Sequence, residues 1–143
     1  MRERLFLNLL LLGIIAAFTN PSFAQSTDPD NPSPVTNGVI EGSVSGNLND
    51  DKVYYYVFYV QKGPFDLTVD IDPTKETGGG LIQWFYLDSK FDRIKWDQVS
   101  AQGTPERRVM SSTALSKQKV ILKVVVGGNF NYKMKFSGSG FLH

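Results

Sequence analysis

The 143-residue chain has no cysteine and one histidine, His143, which is its last residue. Without cysteine there can be no disulfide, no thiolate metal site and no cysteine nucleophile. With the single imidazole at the terminus, no Ser–His pair can be set on a rigid element. A phosphate-cradling loop is missing too, because Gly78-Gly79-Gly80 leads into no helical pattern and reads as a flexible turn. Beyond residue 24 no window carries apolar residues at helical period.

Charge of one sign is also lacking. Setting aside Arg2, Arg4 and Glu3, which lie in a leader, the 15 basic and 14 acidic residues become thirteen of each. A balanced chain is a poor nucleic-acid binder, since such proteins are usually strongly basic. Carboxylate pairs could in principle serve as acid and base. Here Asp50 and Asp51 are adjacent in a turn and Asp70 and Asp72 flank a strand end, places where carboxylates are commonly solvated turn-formers. The inventory reads as no enzyme.

What is present begins with a signal peptide. Arg2 and Arg4 precede an apolar run over residues 5–18, and Ser22-Phe23-Ala24 supplies small residues at a cleavage site before Gln25. The run is shorter than the ~20 residues a spanning helix needs, so no transmembrane segment is expected after cleavage. The product is expected to be secreted or periplasmic, and monomeric. Residues 25–38 include STDPDNPSPVTNG, with three prolines and little to bury, and read as a disordered tail or linker. Residues 39–137 form the predicted domain and residues 138–143 a C-terminal tail.

Within that domain the period changes to two. The runs VIEGSVS, KVYYYVFYV, FDLTVDI, LIQWFYL, a weaker RIKWDQV, RRVMSS, QKVILKVVV and NYKMKF are separated by turn clusters. About eight short strands at this spacing predict an all-β, antiparallel β-sandwich. Phe65, Leu67, Val69 and Ile71 share one face of their strand. Val120, Leu122, Val124 and Val126 share another, and Tyr132, Met134 and Phe136 a third. Gly127-Gly128-Asn129-Phe130 reads as a hairpin loop joining the last two strands.

The order of pieces resembles the bacterial pre-peptidase C-terminal (PPC) domain family. The matching segments are Ile40-Glu41-Gly42-Ser43-Val44, then Asn49-Asp50-Asp51 leading into Tyr56-Val57-Phe58-Tyr59-Val60. Phe65-Asp66-Leu67-Thr68-Val69 and Trp84-Phe85-Tyr86-Leu87-Asp88-Ser89 follow, and the valine-rich strand with Asn131-Tyr132-Lys133-Met134 closes the match. The resemblance implies a jelly-roll sandwich on an exported protein, here standing alone, with a non-catalytic accessory role and no named substrate.

Three surface features are candidate sites. KVYYYVFYV has no polar face, so Tyr55 and Tyr59, with Phe85 from a neighbouring strand, are a candidate aromatic platform for sugar faces or protein hot spots. The alternative is that loops or the N-terminal segment cover that face. Lys119, Lys123, Lys133 and Lys135 lie outward on the predicted last hairpin and could hold an anionic polymer or a phospholipid surface. Equally, they could protect an edge or pair with Asp66 and Asp70. Asp50, Asp51, Asp70, Asp72 and Glu76 are oxygen donors near strand ends, a candidate set for structural calcium; no other cofactor is expected. The expected partner is a polysaccharide or another exported protein. The alternative function is a structural envelope protein acting through protein–protein contacts without a small ligand.

Overall fold

The computed structural model describes residues 25–143, so the expected signal peptide lies outside the described residues. Nine strands follow in order: β1 (Ser33–Pro34), β2 (Val39–Ser45), β3 (Lys52–Val60), β4 (Gly63–Pro73), β5 (Gly79–Leu87), β6 (Arg93–Gln102), β7 (Glu106–Ala114), β8 (Gln118–Ser137) and β9 (Phe141–Leu142). No helix is found among the described residues.

Two sheets face each other. In sheet A the order is β3-β8-β5-β6, and in sheet B it is β2-β8-β4-β7, with all of these neighbours antiparallel. This alternation of the long strands between two sheets, with the short β1 and β9 added at the β3 edge of sheet A, is a jelly roll. Strand β8 belongs to both sheets: its first half pairs with β3 and β5, its second with β2 and β4.

The expected hairpin at Gly127–Phe130 is therefore corrected to a single 20-residue strand that changes sheets. Positive φ at Gly128 (120°) and the lack of a side chain let the chain bend where three backbones crowd. A Cβ on Gly128 would lie 2.3 Å from the Gly79 carbonyl oxygen, and one on Gly80 2.3 Å from the Phe130 ring. Glycine and asparagine thus mark a bend with close backbone approach, a need they meet as readily as a turn.

Even-numbered residues from Val120 to Phe136 stay buried through the bend, so one strand supplies the core of both sheets. Between the sheets Phe58 packs against Phe65, Tyr86, Phe136 and Phe141, with ring centroids 4.5–6.2 Å apart. Trp84, Leu67, Val124 and Phe130 are fully enclosed. Such side chains contribute roughly 1.5–3 kcal/mol each on burial.

Both tails differ from expectation. Tyr55 donates its N–H to the Ser26 carbonyl (2.7 Å), β1 runs parallel to β3, and Val35 donates to the Val57 carbonyl (2.9 Å). Strand β9 pairs with Tyr59 and Val60, and Phe141 is stacked on Phe136 at 4.8 Å. The outer edge of β3 supplies unpaired backbone groups, and satisfying them orders an N-terminal segment whose apolar content alone would not. At the opposite side, β6 is latched to β7. The Lys95 ammonium donates to the Ser111 carbonyl, and Arg108 meets Asp97 at 2.8 Å.

Candidate functional site

Register places side chains from four strands in one row on the outer face of sheet A. Tyr55 of β3 lies opposite Lys123 of β8, Lys123 opposite Phe85 of β5, and Phe85 opposite Trp96 of β6. At ~4.8 Å between strands the row is about 14 Å long. The Phe85 and Trp96 rings are stacked, 5.9 Å apart with a 16° interplanar angle, and the Lys123 ammonium lies 5.6 Å from the Phe85 centroid. That distance is within reach of a cation–π interaction.

The rows beside it continue the pattern. Val57, Ile121 and Leu87 stand opposite one another, and Ile121 and Leu87 are only 3% and 7% exposed although they lie outside the inter-sheet core. They form the next row on the same face and flank the rings on one side. Tyr59 stands opposite Lys119 and is 50% exposed, while Trp96 is 45% exposed. On the other flank Gln83 donates to Gln98 at 2.9 Å. Ile94 is exposed beside the bulge where β5 and β6 lose register.

The expected platform residues Tyr55, Tyr59 and Phe85 thus share one face, and Lys119 and Lys123 stand among them. Trp96 was not singled out because RIKWDQV carries too many polar residues to read as a clear strand. Its parity with Gln98 and Ser100 was the available signal: a tryptophan on the polar side of an edge strand.

Lys133 and Lys135 are on the other side of the molecule, and the idea of one four-lysine patch is corrected. Because β8 changes sheets, its second half faces out from sheet B. There Glu41, Lys133, Asp70 and Arg107 form a row of alternating sign. Lys133 pairs with Glu41 at 2.9 Å and Arg107 with Asp70 at 2.5 Å. The hydrogen bonds to Asp70, and then its charge, raise the Arg107 pKa. Lys135 lies opposite Thr68 and Val39.

Beside this row an open cleft of about 510 Å³ is lined by Glu41, Ser43, Asp70, Asp72, Asn131 and Lys133, among others. Asp50 and Asp51 lie elsewhere, in the turn ahead of β3, and Glu76 is in the loop after β4. Among the described residues no three of His, Cys, Asp and Glu come together as a metal-ligand set. His143 packs its ring edge-on to Phe141 at 5.1 Å.

Comparison with known proteins gives likenesses of fold only. No protein-family model and no curated protein matches the chain. Among solved structures, a CBM4 carbohydrate-binding module aligns at TM-score 0.49 and 9% identity over 74% of this chain and 73% of its own. The PPC domain of a Bacillus anthracis collagenase aligns at 0.46 and 17% identity, over 78% of this chain and 100% of its own. An arabinose-bound α-L-arabinofuranosidase aligns at 0.43 and 12% identity, over 78% of this chain but 22% of that one. At such scores the jelly roll rests on the registers described above rather than on the likeness.

Proposed function

We propose that this protein is a non-catalytic, exported binding module that recognises polysaccharide on the outer face of sheet A. The observation that carries the reading is the row Tyr55, Lys123, Phe85 and Trp96, extended by Tyr59. Flat rings offer large contact area at low conformational cost, and here they stand on paired strands. Leu87 and Ile121 pack in the neighbouring row, and the Phe85–Trp96 stack is already formed, so little order must be gained on binding. The resemblance to the PPC family implies the same accessory role.

The alternative, a structural protein that assembles by strand addition, needs a bare edge. In sheet A the outer edge of β3 is occupied by β1, Ser26 and β9, and the β6 edge is bulged and latched to β7. In sheet B the outer edges of β2 and β7 carry no further strand among the described residues, but they present no aromatic row. The aromatic face is therefore the better-supported contact surface.

The test is retention of the purified protein on a panel of immobilised polysaccharides and peptidoglycan, with and without calcium. Retention on a glycan that is lost in Trp96→Ala and in Tyr59→Ala, at unchanged melting temperature, supports the reading. Retention unaffected by either substitution places binding elsewhere. Absence of retention on every glycan turns attention to an exported protein partner.

A further inference from the structure

The two outer faces of the sandwich differ in how they distribute charge. On sheet B each cation of the row Glu41, Lys133, Asp70 and Arg107 has a carboxylate partner. On sheet A the outward strand positions hold Lys119, Lys123 and Arg93 and no carboxylate at all. None of these three cations takes part in an ion pair among the described residues. Of the acids in the flanking turns, Asp51 precedes β3 and Asp92 precedes Arg93, while Asp28 and Asp88 are engaged locally. Asp88 accepts the Lys90 and Asp92 N–H groups, and Asp28 accepts from Asp30 and Asn31. In a chain with equal numbers of acids and bases beyond its expected leader, the strand positions of this face carry positive charge alone.

Resting on the glycan-binding reading, we infer that the ligand of this face is an acidic polysaccharide, one bearing uronate or sulfate groups. The cations lie among the rings rather than around them. Lys123 sits within the row, between Tyr55 and Phe85. Lys119 is four residues away on the same strand, or about 13 Å at ~3.3 Å per residue. Arg93 stands opposite Leu87 at the far side of the sheet. A chain lying along the rings would stack its sugar faces on them and meet a cation at intervals with its anionic substituents. A neutral glycan would bury part of the Lys123 charge without compensation. Arg93 offers a fork that matches a carboxylate or sulfate bidentately.

The experiment compares polygalacturonate with its fully methyl-esterified form, which has the same backbone and no charge, at low and high salt. Anionic phosphatidylglycerol vesicles are run alongside. The inference predicts that polygalacturonate binds at least tenfold more tightly than the ester, and that this advantage shrinks at high salt. The triple variant Arg93→Gln, Lys119→Gln, Lys123→Gln, checked for an unchanged melting temperature, should lose the advantage. Restoring Lys123 as arginine should recover part of it. Equal binding of acid and ester overturns the inference while leaving the glycan reading in place. Binding of neither form overturns both. Vesicle binding as strong as polygalacturonate binding, and equally sensitive to the triple substitution, also overturns it in favour of a lipid surface.

Discussion

Lys123 and Phe85 stand opposite each other on β8 and β5, with the ammonium 5.6 Å from the ring centroid. This pair ties the cationic and aromatic parts of the face into one surface. Phe85→Ala removes both the cation–π contact and the stack against Trp96, worth about 0.5–1.5 kcal/mol for an aromatic pair. We expect a loss of glycan affinity on the order of tenfold with a folded, cooperative protein. Titration of the variant against a retained glycan, alongside its thermal melt, checks both halves of that statement.

The bend of β8 depends on glycine at the crossing. A Cβ on Gly80 would meet the Phe130 ring at 2.3 Å and the Gly127 carbonyl oxygen at 2.4 Å. Gly80→Ala should destabilise the protein by roughly 1–3 kcal/mol or more, as overpacking does. Gly46→Ala, where nothing lies within 4 Å, should change stability by less than about 1 kcal/mol. Urea unfolding of the two variants gives the comparison, and equal midpoints would contradict the proposed crowding.

The C-terminal residues belong to the core. Phe141 is buried against Phe58 and Phe136. Phe141→Ala should cost about 3–5 kcal/mol, the usual range for a buried aromatic. A variant as stable as the parent in denaturant melts would mean that the tail is dispensable.

The latch between β6 and β7 has a pH signature. Burial tends to raise the Asp97 pKa, but the hydrogen bond and charge of Arg108, with the Gln98 N–H, outweigh it and hold the carboxyl below its ordinary value. A carboxylate depressed on folding contributes stability above its unfolded pKa of about 3.9 and loses it as pH falls through the folded value. Asp97→Asn should therefore lower stability at neutral pH, by about 1 kcal/mol or less for so accessible a pair. The parent and variant should converge as pH falls below the depressed folded pKa of Asp97. Melting temperatures across pH 2–7 record the effect, and parallel curves down to pH 2 would refute it.

Much of the core was legible in the sequence because β4 alternates apolar and polar residues strictly and β8 keeps an apolar residue at every inward position, although Ile121 and Val125 are apolar on its outer side. Phe65, Leu67, Val69 and Ile71, like Val120, Leu122, Val124 and Val126, are all buried. The sheet change in β8 was not legible, since a Gly-Gly-Asn segment suits both a hairpin turn and a bend that keeps the parity of its neighbours. Order in residues 25–38 was missed because composition reports what a segment can bury, whereas the edge of β3 holds this one through hydrogen bonds. Tyr55, Tyr59 and Phe85 could be grouped from strand parity. Trp96 joins them only through the register of β5 with β6, which no local pattern encodes.

The central claim, that ligand covers the outer face of sheet A, is tested most directly by the two tryptophans. Trp84 is fully buried between the sheets and Trp96 is half exposed on the face, so a small quencher such as acrylamide reports chiefly on Trp96. Stern–Volmer quenching should be measured without ligand and with a saturating, retained polysaccharide. The account predicts that bound glycan shields Trp96 and lowers the quenching slope, and that Trp96→Phe abolishes this change. An unaltered slope at saturation would place the ligand on another surface and contradict the claim.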